Sequence, residues 1–253
     1  MNKPVVLITG GSRGIGFATA EFCLREGKRV ILVARDAEDL HGAWQRLLQK
    51  GYPEEDIAVL EADLSLSGLI AGWVNHLPWI KEDGLWGLVS NAAVEILKPI
   101  TEFSFEDIIK TMSVNVISPL MLIQACYPHL KKARGSIVHV GSIADFKREA
   151  RYSLYGGSKA FMKSFIGHAG QELGFDGIRI NLVSPGATET ELMKEMRDVQ
   201  KVWPKEQIET FLKSIPIEQR NATPEEIAEA IYFALAGPRY FHGDDLRIYG
   251  GHP

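Results

Sequence analysis

The segment Val5 to Gly16, VVLITGGSRGIG, constrains the fold of this 253-residue chain more than any other. Four apolar residues, Val5 to Ile8, read as a buried strand, and Thr9 to Gly16 reads as a tight glycine turn entering a helix. Glycines let the backbone bend sharply and approach a diphosphate without Cβ clashes, and the free N–H groups of a first helical turn favour its negative charge. Gly10, Ser12, Arg13, Gly14, Ile15 and Gly16 are therefore candidate cofactor contacts. Helical periodicity continues through Ala18, Phe22 and Leu24 to a stop at Gly27. Strand, glycine loop and helix in this order open a dinucleotide-binding unit.

The next strand, Arg29 to Val33, runs into Ala34-Arg35-Asp36. In a fold of this kind the end of the second strand faces the adenosine ribose, where a carboxylate would bond the 2′-hydroxyl and an arginine would accept a 2′-phosphate. Small Ala34 followed by Arg35, with Arg13 in the glycine loop as a second cation, favours the phosphate and hence NADP(H). Asp36 keeps NAD(H) possible, because a slight register change would bring its carboxylate to the ribose.

Tyr155 and Lys159 stand four residues apart in YGGSK, with Ser142 thirteen residues upstream in VGSIA. On a helix this spacing puts phenol and ammonium on one face, about 5–6 Å apart at Cβ. The ammonium is expected to lower the phenol pKa by favouring the phenolate, so that a proton can be exchanged near neutral pH. Ser142, at the end of a preceding strand, would give a substrate oxygen a second hydrogen-bond donor. The trio describes a site for reducing a carbonyl, or for oxidising an alcohol in reverse, with Tyr155 as general acid or base.

These motifs together resemble the short-chain dehydrogenase/reductase family, its compact subgroup, over nearly the full chain. TGGSRGIG, Asp63-Leu64, Asn91-Ala92-Ala93, Asn115 in SVNV, Ser142, Tyr155, Lys159 and Pro185-Gly186 occur in family order. The resemblance implies that Asp63 and Leu64 hold adenine and that Asn91, Ala92 and Ala93 line the adenosine side. It implies that Asn115 anchors a water relaying protons to Lys159, and that Lys159 bonds the nicotinamide ribose. Pro185, Gly186, Thr188 and Thr190 would flank the nicotinamide amide. Residues from about 187 to 215 would form a lid over the substrate, in which Met193, Met196, Val199, Trp203 and Phe211 make an adaptable wall or pack the lid on the core. The helical stretches around Phe105 to Leu130 and Tyr152 to Leu173 would build a homodimer or homotetramer.

Two departures from the family pattern stand out. Ala93 replaces a customary glycine, which is harmless unless φ is positive there. Gly156 and Gly157 lie inside the catalytic helix, implying local softness or the close approach of a neighbouring segment.

The expected fold class is α/β, one Rossmann domain spanning 1–253, with a doubly wound parallel sheet of about seven strands and helices on both faces. Beyond the first two, strands are expected at Ile57 to Glu61, Leu85 to Ser90, Ser136 to Val140, Ile178 to Val183 and Asp245 to Ile248. A formal net charge of −4 suggests no nucleic-acid partner, and no apolar run is judged to approach membrane-spanning length. The start runs directly into the first strand and, with Cys23 and Cys126 read as reduced core residues, a cytoplasmic enzyme is expected. The seven histidines show no metal-ligand spacing, and His139 reads as structural. Lys147, Arg148 and Arg151 would form either a solvated loop or an anion-attracting rim. The partner is a small carbonyl or alcohol substrate. The alternatives are an NAD-dependent alcohol dehydrogenase and a dinucleotide sensor without chemistry, the second having no need of Asn115, Ser142, Tyr155 and Lys159 together.

Overall fold

A computed structural model describes residues 3–191, 193 and 205–251. Seven strands form one parallel sheet in the order β3-β2-β1-β4-β5-β6-β7. They are β1 Val5–Thr9, β2 Arg29–Ala34, β3 Ile57–Glu61, β4 Gly87–Ser90, β5 Ser136–Val140, β6 Arg179–Pro185 and β7 Asp245–Ile248. Every pairing is parallel, with Val5 against Arg29 and Leu7 against Leu88 fixing the register around the central strand. β1, β5 and β6 are buried throughout, as parallel strands covered on both faces must be.

The strand alternation sorts the core into two layers. Leu7, Ile31, Leu88 and Ile137 face one side, covered by α3 (Ile70–Val74), α6 (Ser118–Ala133) and α7 (Ser153–Leu173) through Val74, Leu122, Leu130, Met162 and Ile166. Val6, Ile8, Leu32 and Val138 face the other, covered by α1 (Gly14–Arg25), α2 (Ala37–Gln49) and α9 (Pro224–Ala236) through Cys23, Leu40, Leu47 and Ile231. Two short or peripheral helices, α4 (Ile80–Asp83) and α8 (Lys205–Lys213), complete this set together with α5 (Phe105–Met112). Helix starts follow local chemistry. Asp36 caps α2 by accepting the Asp39 N–H at 2.9 Å, and Ser104 and Thr223 form reciprocal capping boxes with Asp107 and Glu226.

Between α5 and α6 the chain makes a π-helical turn, Ser113–Ile117, so that the helical path runs unbroken from Phe105 to Ala133. By length and composition this path is apolar enough to cross a membrane, which corrects the reading that no run approaches that length. Half of its apolar window is buried in the fold, where Leu122, Ile123, Cys126 and Leu130 pack on the sheet. Cys23 and Cys126 are free, and burial pushes both thiols up to about 12. His139 is fully buried, and burial, then the charge of Lys159, holds it well below the usual histidine value and so neutral.

Candidate active site

In a doubly wound sheet the connection that leaves one half for the other opens a crevice at the C-terminal strand ends, here between β1 and β4. A cavity of about 770 Å³ occupies that position and reaches from Arg35 at one end to Tyr152 and Phe211 at the other.

The glycine loop forms the cavity's first wall. Gly10 has φ +63, and a Cβ there would stand 2.8 Å from the Asn91 Nδ2. A Cβ on Gly16 would lie 2.1 Å from the Gly10 carbonyl oxygen, so only glycine lets α1 begin this close to the loop. The Thr9 hydroxyl accepts the N–H groups of Asn91 and Ala92 at 3.0 and 3.2 Å, while Asn91 Nδ2 donates to the carbonyls of Thr9 and Gly10. The ends of β1 and β4 are thereby stitched together beneath the space that a diphosphate needs. Arg46 braces the outer side by donating to the Ser12 carbonyl at 2.7 Å. The cradle fits a dinucleotide: its surface is glycine and small side chains, with α1 opening onto it.

Arg13, Arg35, Asp36, Asp63 and Leu64 line the end of the cavity beyond the tips of β2 and β3. Arg35 is exposed at the rim, whereas Asp36 spends Oδ1 on capping α2. Burial raises Asp63, but the Ser65 backbone and hydroxyl bonds and the charges of Arg35 and Lys110 outweigh it, so the carboxyl sits below its usual value. Ala93 is not among the residues with positive φ, so its methyl is accommodated without strain.

At the other end, Lys159 donates to the Val140 carbonyl at 2.8 Å, and its ammonium lies 5.6 Å from the centre of the Tyr155 ring. Ser142 lies within hydrogen-bonding reach of the Tyr155 phenol, and its oxygen accepts the Ala144 N–H at 3.1 Å. Gly156 answers the question raised by the glycine pair. A Cβ there would meet the Ala144 carbonyl at 2.6 Å, so the glycine allows α7 to lie against the Ser142 turn, whereas Gly157 faces open space. Lys163, one turn beyond Lys159, bridges Asp145 at 2.7 Å and Asp245 at 3.1 Å, tying α7 to both that turn and β7.

Electrostatics differ from the sequence expectation. Burial pushes the Tyr155 phenol well above the ordinary tyrosine value, and Glu95 adds to this, with the Ser142 hydrogen bond opposing. Burial brings Lys159 down to about 8, with Glu95 pushing it back up. The expected lowering of the phenol by the ammonium does not appear here, because burial and the Glu95 charge dominate the phenol. Tyr155 keeps its proton at neutral pH.

Asn115 does not reach the cavity. Its Oδ1 accepts the Val94 N–H and its Nδ2 donates to the Val94 carbonyl, both at 2.8 Å, and Nδ2 also reaches the Ser158 hydroxyl at 3.1 Å. With both amide hydrogens committed, the side chain has no donor left to offer a water, and it is held in the loop contact rather than in the cavity. Its backbone carbonyl differs, since Pro119 lacks the N–H that would close the regular helical bond to it.

The remaining predicted residues converge. Gly10, Ser12, Arg13, Gly14, Ile15, Asn91, Ala92, Ala93, Pro185, Gly186, Thr188 and Thr190 all line the cavity beside Ser142, Tyr155 and Lys159, whereas Gly16 packs behind the loop. Thr190 lies against Gly14 and accepts the Met193 N–H at 3.2 Å. Met193 and Phe211 reach the wall, while Met196, Val199 and Trp203 fall outside the described residues. Lys147 pairs with Glu149 at 3.2 Å, and Arg148 and Arg151 are exposed away from the cavity, which favours the solvated-loop reading. Sequence reasoning missed Glu95 and Tyr152 in the wall. A charged residue inside the otherwise apolar run Val94 to Leu97 was the available signal.

The fold and this arrangement of groups define a class. A family model described as short chain dehydrogenase matches residues 4–201, and the chain belongs to that family of oxidoreductases acting on alcohols or ketones. It is 32% identical over 266 residues to the vibriobactin-specific 2,3-dihydro-2,3-dihydroxybenzoate dehydrogenase of Vibrio cholerae, spanning 97% of this chain and 94% of that protein. It is 27% identical over 248 residues to carbonyl reductase family member 4 of Danio rerio, spanning 98% and 97%. A solved short chain dehydrogenase from Burkholderia cenocepacia in complex with NADP superposes with a TM-score of 0.84 at 28% identity, covering 99% of this chain and 97% of that one.

Proposed function

We propose that this protein is an NADPH-dependent carbonyl reductase, reversible toward alcohol oxidation, with Tyr155 as general acid. The observation carrying this reading is the meeting of Tyr155, Ser142 and Lys159 at the end of a cavity continuous with the glycine cradle. The glycine cradle would hold NADPH, whose hydride would go to the substrate carbonyl carbon, so that C=O plus hydride plus one proton gives CH–OH. Tyr155 gives the proton to the carbonyl oxygen, a role suited to a phenol that stays neutral in its pocket. The Ala144 N–H occupies a lone pair of Ser142 and leaves the hydroxyl hydrogen to steady the same oxygen. Lys159 keeps its charge at neutral pH and offsets the phenolate left behind. The Asn115 carbonyl, to which Pro119 offers no N–H, would hold the water through which the proton is replaced.

Preference for NADPH rests on exposed Arg35 and Arg13 at the adenosine end and on the diversion of Asp36 into a helix cap. A relative named as a carbonyl reductase and a structural relative holding NADP accord with it. We read the chain as one domain with a lid over about 187–215. We read it as a homodimer or homotetramer whose interface uses the exposed Phe105, Ile108, Ile109, Ile117 and Phe161 of α5 to α7. The reading is tested by following NADPH and NADH consumption with a panel of ketones, β-ketoacyl thioesters and quinones. Turnover with NADPH that collapses in Tyr155→Phe supports it, and equal turnover by both proteins overturns it.

A further inference from the structure

Glu95 occupies an unusual place. It follows Val94, whose peptide groups are fixed by Asn115, so its backbone is held firmly at the cavity wall. It lines the same cavity as Tyr152, Tyr155 and Lys159, and all three feel its charge. Among the described residues no hydrogen bond or ion pair reaches that carboxyl. Of the other charged groups at this end, Lys159 is held by the Val140 carbonyl and Lys147 and Glu149 are joined to each other, while Ile96, Met193 and Phe211 give the cavity apolar lining. The Glu95 oxygens are not among the fully buried acceptors without partners, so water can satisfy them until a ligand fills the cavity and must then supply a donor in its place. In a cavity of this kind, a convergent polar group on an apolar wall orients the ligand.

We propose that Glu95 is a specificity-determining residue. It bonds a hydroxyl or amino group that the substrate carries next to its reacting carbon. The substrates are then hydroxy or amino ketones, and in reverse the vicinal diols or amino alcohols, in preference to simple ketones. A site built around such a bond rejects the analogue lacking the donor, because the carboxyl is left desolvated and unbonded. Burial that raises Glu95 to about 7 is consistent with this, since an acid near neutrality serves both a neutral hydroxyl and, once ionised, an ammonium. The inference rests on the carbonyl reductase reading.

The test compares kcat/KM with NADPH for matched pairs, 2-hydroxycyclohexanone against cyclohexanone and 2-amino-1-phenylethanone against acetophenone, in the wild type, Glu95→Gln and Glu95→Leu, with Tyr155→Phe as the control. The wild type should favour the donor-bearing member of at least one pair by about tenfold or more. Glu95→Leu should bring that ratio to about one, and Glu95→Gln, of nearly the same shape, should keep more of a hydroxyl preference than of an amino preference. Turnover that depends on Tyr155 but shows no donor preference, or a preference that survives in Glu95→Leu, overturns the inference and leaves the reductase reading standing. Turnover that is equal in Tyr155→Phe overturns both.

Discussion

Asn115 holds Val94 at both ends, accepting its N–H and donating to its carbonyl at 2.8 Å each. A helix interior is thereby fastened to the loop that carries Glu95, and through Ser158 to the catalytic helix as well. Asn115→Leu removes both bonds and strands two backbone groups in a buried site. It should cost about 2–4 kcal/mol and lower Tm by roughly 5–10 °C, with a fall in kcat of about tenfold or more from misplacement of the site. Thermal melting alongside steady-state kinetics checks both, and an unchanged Tm would remove the clamp from the account.

The two glycines of the catalytic helix should respond in opposite ways to alanine. Gly157 faces open space, so Gly157→Ala should stabilise the protein by about 0.5–1 kcal/mol through helix propensity. Gly156→Ala pushes a methyl into the Ala144 carbonyl and so displaces the turn that orients Ser142. Its kcat should fall at least tenfold. Denaturant unfolding and kinetics on the pair decide this.

Arg35→Ala should raise KM for NADPH about tenfold or more while leaving KM for NADH nearly unchanged, because the guanidinium would act on the 2′-phosphate alone. Equal effects on the two cofactors would assign Arg35 to general surface charge.

Stability should carry a signature of Glu95. Burial lifts its carboxyl from 4.5 to about 7 in the folded protein, with Lys159 opposing and Glu149 assisting. Between those values the folded state binds more protons than the unfolded chain, so this contribution is full below about pH 4.5 and is lost as pH rises to 7. The gain in Tm of Glu95→Gln over wild type should therefore grow between pH 5 and 7.5. A constant difference across that range would show that the carboxyl is not buried as described.

Much of this was legible in the chain. The seven strands fall where apolar runs between turn signals put them, with ends differing by a residue or two at β1, β2, β4 and β6, because the central strands of a parallel sheet are covered on both faces. Val5 to Gly16 and the spacing of Tyr155 and Lys159 are local patterns, and local patterns survive translation into structure. Long-range compensation was not legible. That Asn115 would spend its amide on Val94, that Asp36 would cap α2, and that Gly156 would admit Ala144 depend on partners 12 to 21 residues away or on a helix start, none marked by composition. The pKa of Tyr155 likewise depends on burial and on Glu95, sixty residues upstream, more than on the lysine one turn away.

The most direct test of the account is NADPH oxidation at neutral pH with a carbonyl substrate, measured for the wild type and Tyr155→Phe, with NADPH affinity determined separately for each. Loss of turnover by a factor of about a hundred or more with NADPH affinity nearly unchanged is the predicted result, since only the transferable proton is removed. Comparable turnover in the two proteins would contradict the assignment of Tyr155 as the acid and, with it, the account of the site.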